Sequence, residues 1–66
     1  MDYPTLPDHD EALLTTGRVA VILDVGPETI RRLIRRGELR AVNMRGPAGY
    51  RIRAGDVRSY LADRRG

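Results

Sequence analysis

The chain contains no cysteine and no lysine, and it has a single histidine. Without thiols there is neither a disulfide framework nor a thiolate zinc site, and nothing in the composition indicates an oxidising compartment. The one histidine, His9, stands among prolines and acids near the N-terminus, and the chain has no phosphate-cradling glycine motif and no cluster of metal-ligand residues. No cofactor is expected, and an enzyme is not the expected reading. Long apolar runs are absent too: the longest, Val19 to Leu23, is far too short to span a bilayer, and the N-terminus lacks the basic-then-apolar pattern of a signal peptide. A soluble, cytoplasmic protein is expected. Its 66 residues leave room for one small domain with a thin core and modest stability.

What the chain has in quantity is arginine. All twelve cations are Arg, a usage equally accounted for by G+C-rich coding; physically, Arg offers forked donors that suit phosphates and guanines. The net charge of +3 is unevenly spread, because Asp2, Asp8, Asp10 and Glu11 all precede residue 13, leaving twelve Arg against five acids, a balance of +7, in residues 13–66. That distribution fits a polyanionic partner, with nucleic acid the first candidate and an anionic membrane surface the second. A membrane is disfavoured because the most basic helix lacks aromatic anchors and needs its apolar stripe for the core. Residues 1–12, with Pro4, Pro7 and acids but few apolar groups, are expected to form a disordered acidic tail, either solvated or folded weakly over the basic face. Residues 13–66 are the expected folded domain.

The stretch that organises this domain is Val25 to Gly37. Pro27 suits a first helical position, Gly26 can cap it, Glu28 favours the positive end of the dipole, and Gly37 is a stop after Arg35 and Arg36. A rotation of about 100° per residue puts Ile30, Leu33 and Ile34 on one face and Glu28, Arg31, Arg32 and Arg35 on the other. Upstream, Thr15 is placed to cap a short helix from about Thr16 to Leu23, with Val19, Ala20 and Leu23 as its buried stripe and Ile22 at the edge. Asp24-Val25-Gly26 is then a turn, with Val25 plugging the space between the helices. Two short helices joined by about three residues, the second carrying exposed cations, is the pattern of a DNA-binding helix-turn-helix.

After Gly37 the period changes to that of strands. Leu39 to Met44 and Tyr50 to Arg53 predict a β-hairpin around the turn-rich loop Arg45-Gly-Pro-Ala-Gly49, a flexible tip resembling the wing of a winged helix. Tyr50 and Ile52 point to one face, Arg51 and Arg53 to the other. From about Ala54 to Arg64 a third helix is predicted, with Asp56 in its first turn, Arg64 and Arg65 at its end, and Val57, Tyr60 and Leu61 closing the core. The fold class is therefore α+β, a winged helix-turn-helix of two short helices, a hairpin wing and a C-terminal helix.

Leu14-Thr15, Val19-Ala20, Ile22-Leu23, Val25, Thr29-Ile30, Leu33-Ile34-Arg35-Arg36-Gly37-Glu38-Leu39, Ala41-Val42, Tyr50-Arg51-Ile52 and Val57-Tyr60-Leu61 together resemble the excisionase-type, MerR-like winged helix-turn-helix family. The likeness runs over residues 13 to 62. It implies small proteins of bacteria, phages or plasmids that bind and bend DNA, side by side on repeated sites, some as recombination directionality factors that help an integrase excise a mobile element, others in transcription regulation. The sequence departs from the family pattern where Gly17 and Arg18 stand in place of acids and where Gly26 replaces a capping Ser, and its wing is longer. The expected partners are double-stranded DNA, an integrase and further copies of the chain on DNA.

The expected DNA-binding set is Arg18, Pro27, Glu28, Thr29, Arg31, Arg32, Arg35, Asn43, Arg45 and Arg51. Helix two would enter the major groove, where Arg takes guanine O6 and N7, while the wing arginines hold flanking backbone. Glu28 either adds selectivity or simply pairs with Arg31 and Arg32, and Arg18 either meets a phosphate or is solvated. The alternative readings are a small MerR-like transcription regulator lacking an effector domain and, from another class, an antitoxin-like protein-interaction module.

Overall fold

The structure, a computed structural model, describes residues 5–65, with side chains as far as Arg64. In chain order it comprises β1 (Leu13–Thr15), α1 (Thr16–Leu23), α2 (Pro27–Arg35), β2 (Val42–Asn43), a 3-10 turn (Gly46–Ala48), β3 (Tyr50–Arg53) and α3 (Ala54–Arg65). The three strands form one antiparallel sheet in the order β1-β3-β2.

Both helices of the helix-turn-helix have the ends their residues call for. The Thr15 side chain accepts the Arg18 N–H at 3.0 Å, which satisfies one of the unpaired donors of the first turn of α1. At the other end Asp24 adopts a left-handed backbone with φ 60°, and the N–H groups of Asp24 and Val25 return to the carbonyls of Val21 (3.2 Å) and Ala20 (2.9 Å). This is a Schellman closure built on Asp, whose short polar side chain tolerates that conformation better than most. Gly26 caps α2 without a side-chain bond, and Pro27 holds the first helical position. A second Schellman closure ends α2: Gly37, at φ 77°, donates to Ile34 at 3.1 Å and Glu38 to Leu33 at 2.9 Å. The Leu39 N–H reaches the same Leu33 carbonyl at 3.2 Å, which turns the Leu39 side chain into the core, where it is 2% exposed.

The core draws on every layer: Leu14 from β1, Val19 and Ala20 from α1, Ile30 and Leu33 from α2, Leu39, Ile52 from β3, and Ala54 and Val57 from α3. Leu14 and Ile52 face each other across the β1–β3 ladder, so the inner face of the sheet closes on the helices. Two apolar expectations are corrected, at Val25 and Leu61. Val25 is 39% exposed rather than a plug, because the Schellman closure returns its N–H to Ala20 and the small Ala20 lets the helices meet without filler. Leu61 is 38% exposed, since Val57 one turn earlier already closes the core, and Leu23, Ile34 and Tyr60 are only half-buried at its rim.

The strands differ from expectation as well. The strand predicted from Leu39 to Met44 shortens to Val42–Asn43, with Leu39 held by the end of α2 and the Met44 N–H closing the wing base on Gly49 O at 2.8 Å. The short strand β1 was not foreseen; it pairs Leu13, Leu14 and Thr15 with Arg53, Ile52 and Arg51.

Where a disordered acidic tail is expected over residues 1–12, the described part, residues 5–12, is docked; residues 1–4 lie outside the described residues. The carbonyls of Ala12 and Asp10 accept the N–H groups of Ala54 (2.9 Å) and Gly55 (3.0 Å), which are donors that the first turn of α3 leaves unpaired. Arg58 donates to the Asp10 carboxylate and the Pro7 carbonyl, Glu11 pairs with Arg53 at 3.3 Å, and Leu6 and Ala12 pack against the core. The tail has few apolar residues of its own, but the helix start and two arginines supply partners for its polar groups. The molecule is an α+β winged helix-turn-helix with its leader strapped to the third helix.

Candidate nucleic-acid interface

Helix α2 carries the first part of the site. Ile30 and Leu33 are buried, Thr29 and Ile34 half-buried, and Pro27, Glu28, Arg31, Arg32 and Arg35 exposed, so the predicted division of faces is the observed one. Arg31 donates to Glu28 Oε1 at 3.1 Å in an i, i+3 pair between two exposed side chains. Solvent screens such a pair, which is worth a few tenths of a kcal/mol. Of the two roles open to Glu28, the unbound protein displays the pairing, with Arg31 alone and not with Arg32.

The arginines sort into two groups. Arg53 and Arg58 are held by the leader, and Arg36 and Arg64 share Glu38 at 3.0 and 2.8 Å, with the Arg64 guanidinium also 4.8 Å from the centre of the Tyr60 ring. By contrast, the guanidinium groups of Arg18, Arg32, Arg35, Arg40 and Arg45 are exposed and have no partner among the described residues. These five stand at the start of α1, on and just beyond α2, and at the base of the wing loop. Arg40 was not singled out from the sequence: it falls within the strand predicted from Leu39 to Met44, and the observed strand begins only at Val42, which leaves Arg40 on the exposed connection after α2. Among the described residues, the leader's Glu11 and Asp10 engage Arg53 of β3 and Arg58 of α3, and no leader acid engages the helix-turn-helix or the wing loop.

The wing loop is braced by internal hydrogen bonds. Its base is closed by the Met44 N–H on Gly49 O, and the Gly49 N–H returns to Gly46 O at 3.2 Å. Arg51, expected to contact DNA, directs its guanidinium at the carbonyls of Ala48 (2.5 Å) and Tyr50 (2.9 Å) and so holds the loop from below. Asn43, also in the expected set, accepts the Arg45 N–H on its Oδ1 at 2.9 Å. Arg45 itself has φ 65° and ψ 157°, a combination that side chains avoid and that is occupied almost only by glycine.

Between the end of α2 and α3 an open groove of about 590 Å³ is lined by Gly37, Glu38, Tyr60, Asp63 and Arg64, and the Glu38–Arg64 ion pair crosses it. Among the described residues no group of His, Cys, Asp or Glu could hold a metal ion, and no helix is long and apolar enough to cross a membrane.

Two capped helices at a tight turn, an exposed arginine ridge on the second, and a braced hairpin that carries a further free arginine define a DNA-binding winged helix-turn-helix domain. Comparison with protein families agrees: the chain belongs to the helix-turn-helix domain family, whose model matches residues 13–65, a family of small excisionase-like DNA-binding domains. No curated protein and no solved structure matches it.

Proposed function

We propose that this protein recognises specific DNA sequences by placing α2 in the major groove and the wing against the flanking backbone, and that it acts as an excisionase-type recombination directionality factor. Arg32 and Arg35 reach bases and phosphates from α2, Arg31 joins them by exchanging Glu28 for DNA, and Pro27, Glu28 and Thr29 at the N-terminal end of the helix add selectivity. Arg18 and Arg45 take phosphates on either side, while Arg51 and Asn43 support the wing. The observation that carries this reading is the placement, on the helix-turn-helix, its continuation and the wing, of the five guanidinium groups that have no partner among the described residues.

One module of this size buries only about 600–1,000 Å² of protein surface on DNA, so useful occupancy requires several copies on adjacent sites. Copies that each bend DNA slightly would build the curved complex that an integrase needs to bring distant arms together. The protein does no chemistry in this scheme. It biases the direction of recombination by shaping the substrate.

A mobility-shift titration on DNA from around the protein's own gene, at two salt concentrations, tests the reading. Wild type should give a ladder of discrete complexes on one segment, Arg32→Ala should abolish it, Arg45→Ala should weaken it, and Arg64→Ala, which removes a cation already paired with Glu38, should leave it unchanged. Equal, weak shifting of all DNA by every variant would reject the recognition-helix assignment in favour of a protein partner. The recombination role is read separately, by adding the protein to a purified integrase acting on attachment sites that carry the DNA segment it shifts: excision should rise and integration should not.

A further inference from the structure

We infer that Asn43 is a positioning residue for the wing: its side-chain oxygen holds the Arg45 backbone in a strained conformation, so that the free guanidinium of Arg45 is presented to DNA from a loop already in its bound shape. The inference rests on the reading of the wing as a DNA contact.

Asn43 is the last ladder residue of β2, opposite Tyr50 on β3. Two residues on, the Arg45 N–H donates to Asn43 Oδ1 at 2.9 Å, the local side-chain-to-backbone bond that Asn forms readily in turns. At φ 65° and ψ 157° Arg45 is where a glycine would be at ease, and Gly46 and Gly49 in the same loop, at φ 62° and 67°, show that this segment uses glycine for such backbone. An arginine in that position opposes the backbone preference, and a strained residue persists only where its surroundings over-determine it. The surroundings here are the Met44–Gly49 and Gly46–Gly49 bonds, Pro47 with its fixed φ, the Arg51 brace on Ala48, and the Asn43 bond. Only the last is made to Arg45 itself.

The same bond argues against a direct base contact by Asn43. Bidentate recognition of adenine by Asn uses the side-chain oxygen and nitrogen together in the plane of the base, and here one lone pair of that oxygen is committed to the loop backbone, which fixes the direction of the amide. What Asn43 contributes is a lower ordering cost when the wing meets DNA, because the loop does not have to be fixed at that moment.

The test compares wild type, Asn43→Ala, Arg45→Gly and the double variant on the DNA segment that wild type shifts, together with hydrogen exchange of the Arg45 amide. Loss of either residue alone should weaken binding by about five- to tenfold, the scale of roughly one good contact, and the double variant should bind no more weakly than Arg45→Gly alone. The Arg45 amide should exchange slowly in wild type and in Asn43→Asp, which keeps the accepting oxygen, and faster in Asn43→Ala, while the amides of α1 and α2 are unchanged. Should Asn43→Ala weaken binding by the same factor in the Arg45→Gly background, Asn43 touches DNA directly and the inference is overturned. It is overturned equally if Asn43→Ala leaves binding or Arg45 exchange at the wild-type level. If wild type shifts no DNA at all, the reading of the wing as a DNA contact falls, and the exchange measurement alone decides whether the latch exists.

Discussion

Gly17 and Arg45 are opposite cases of a side chain at odds with its backbone. Gly17 lies in the first turn of α1, where a Cβ would meet nothing within 4 Å, so the missing methyl costs helix stability without any tertiary return. Gly17→Ala is expected to stabilise the fold by about 0.5–1 kcal/mol, a rise in melting temperature of about 3–6 °C for a domain of this size, measurable by thermal denaturation. Arg45 has a large side chain where only glycine is relaxed, at an expected cost of about 1–3 kcal/mol. Arg45→Gly should therefore melt higher than wild type, by about 1 kcal/mol after allowing for the extra freedom of glycine in the unfolded chain, while binding DNA less well. A lower melting temperature for Arg45→Gly would mean that the wing holds no strain to release.

The leader and α3 behave as one unit, and Gly55 is the reason they can. A Cβ there would lie 2.9 Å from Asp10 Cβ and 3.2 Å from Asp10 Cγ, so any larger residue pushes the leader off the helix start. Gly55→Ala, although it adds a good helix former, is expected to lower stability by about 1 kcal/mol, because it loosens the Asp10 and Ala12 caps and the packing of Leu6. Limited proteolysis should then cut within residues 5–12 faster than in wild type. The same Gly-to-Ala change thus has opposite expected signs in α1 and α3, decided by what packs over the helix rather than by helix preference. The wing gives a parallel case: its Gly and Pro content signals a loop, and the backbone bonds and the Arg51 contacts that brace it come from the fold.

For the molecule entire, the pairing of charges matters more than the net charge of +3. Among the described residues, six arginines have internal partners or pair with a neighbouring acid, and five do not. If those five all take phosphates, the logarithm of the association constant should fall with that of salt concentration at a slope of about −4.5, or about 500-fold between 50 and 200 mM salt. Each of Arg18→Ala, Arg40→Ala and Arg45→Ala should make the slope shallower by about 0.9, whereas Arg64→Ala should not. Equal slopes for all of them, from titrations across salt, would show that the free and paired arginines are not distinguished by DNA.

Local chemistry alone determined the two helices of the helix-turn-helix. Thr15, Gly26-Pro27 and Gly37 are start and stop residues whose effects act within a turn, and the stripe of Ile30 and Leu33 opposite Arg32 and Arg35 follows from helix geometry; both appear in the structure as read. The hairpin and the third helix were legible for the same reason, in the change of period after Gly37 and the apolar spacing of Val57 and Tyr60. What tertiary structure decided depends on residues far apart in the chain. A three-residue strand such as β1 has too few positions to show a period, and it exists because β3 offers it an edge. The leader is polar enough to read as disordered, and it is ordered by α3 donors and arginines more than forty residues away. Which arginines remain free for DNA is likewise a matter of spatial partners: Arg51, Arg53 and Arg58 look as available in sequence as Arg32 and Arg45, and only the fold supplies the carbonyls and carboxylates that engage them.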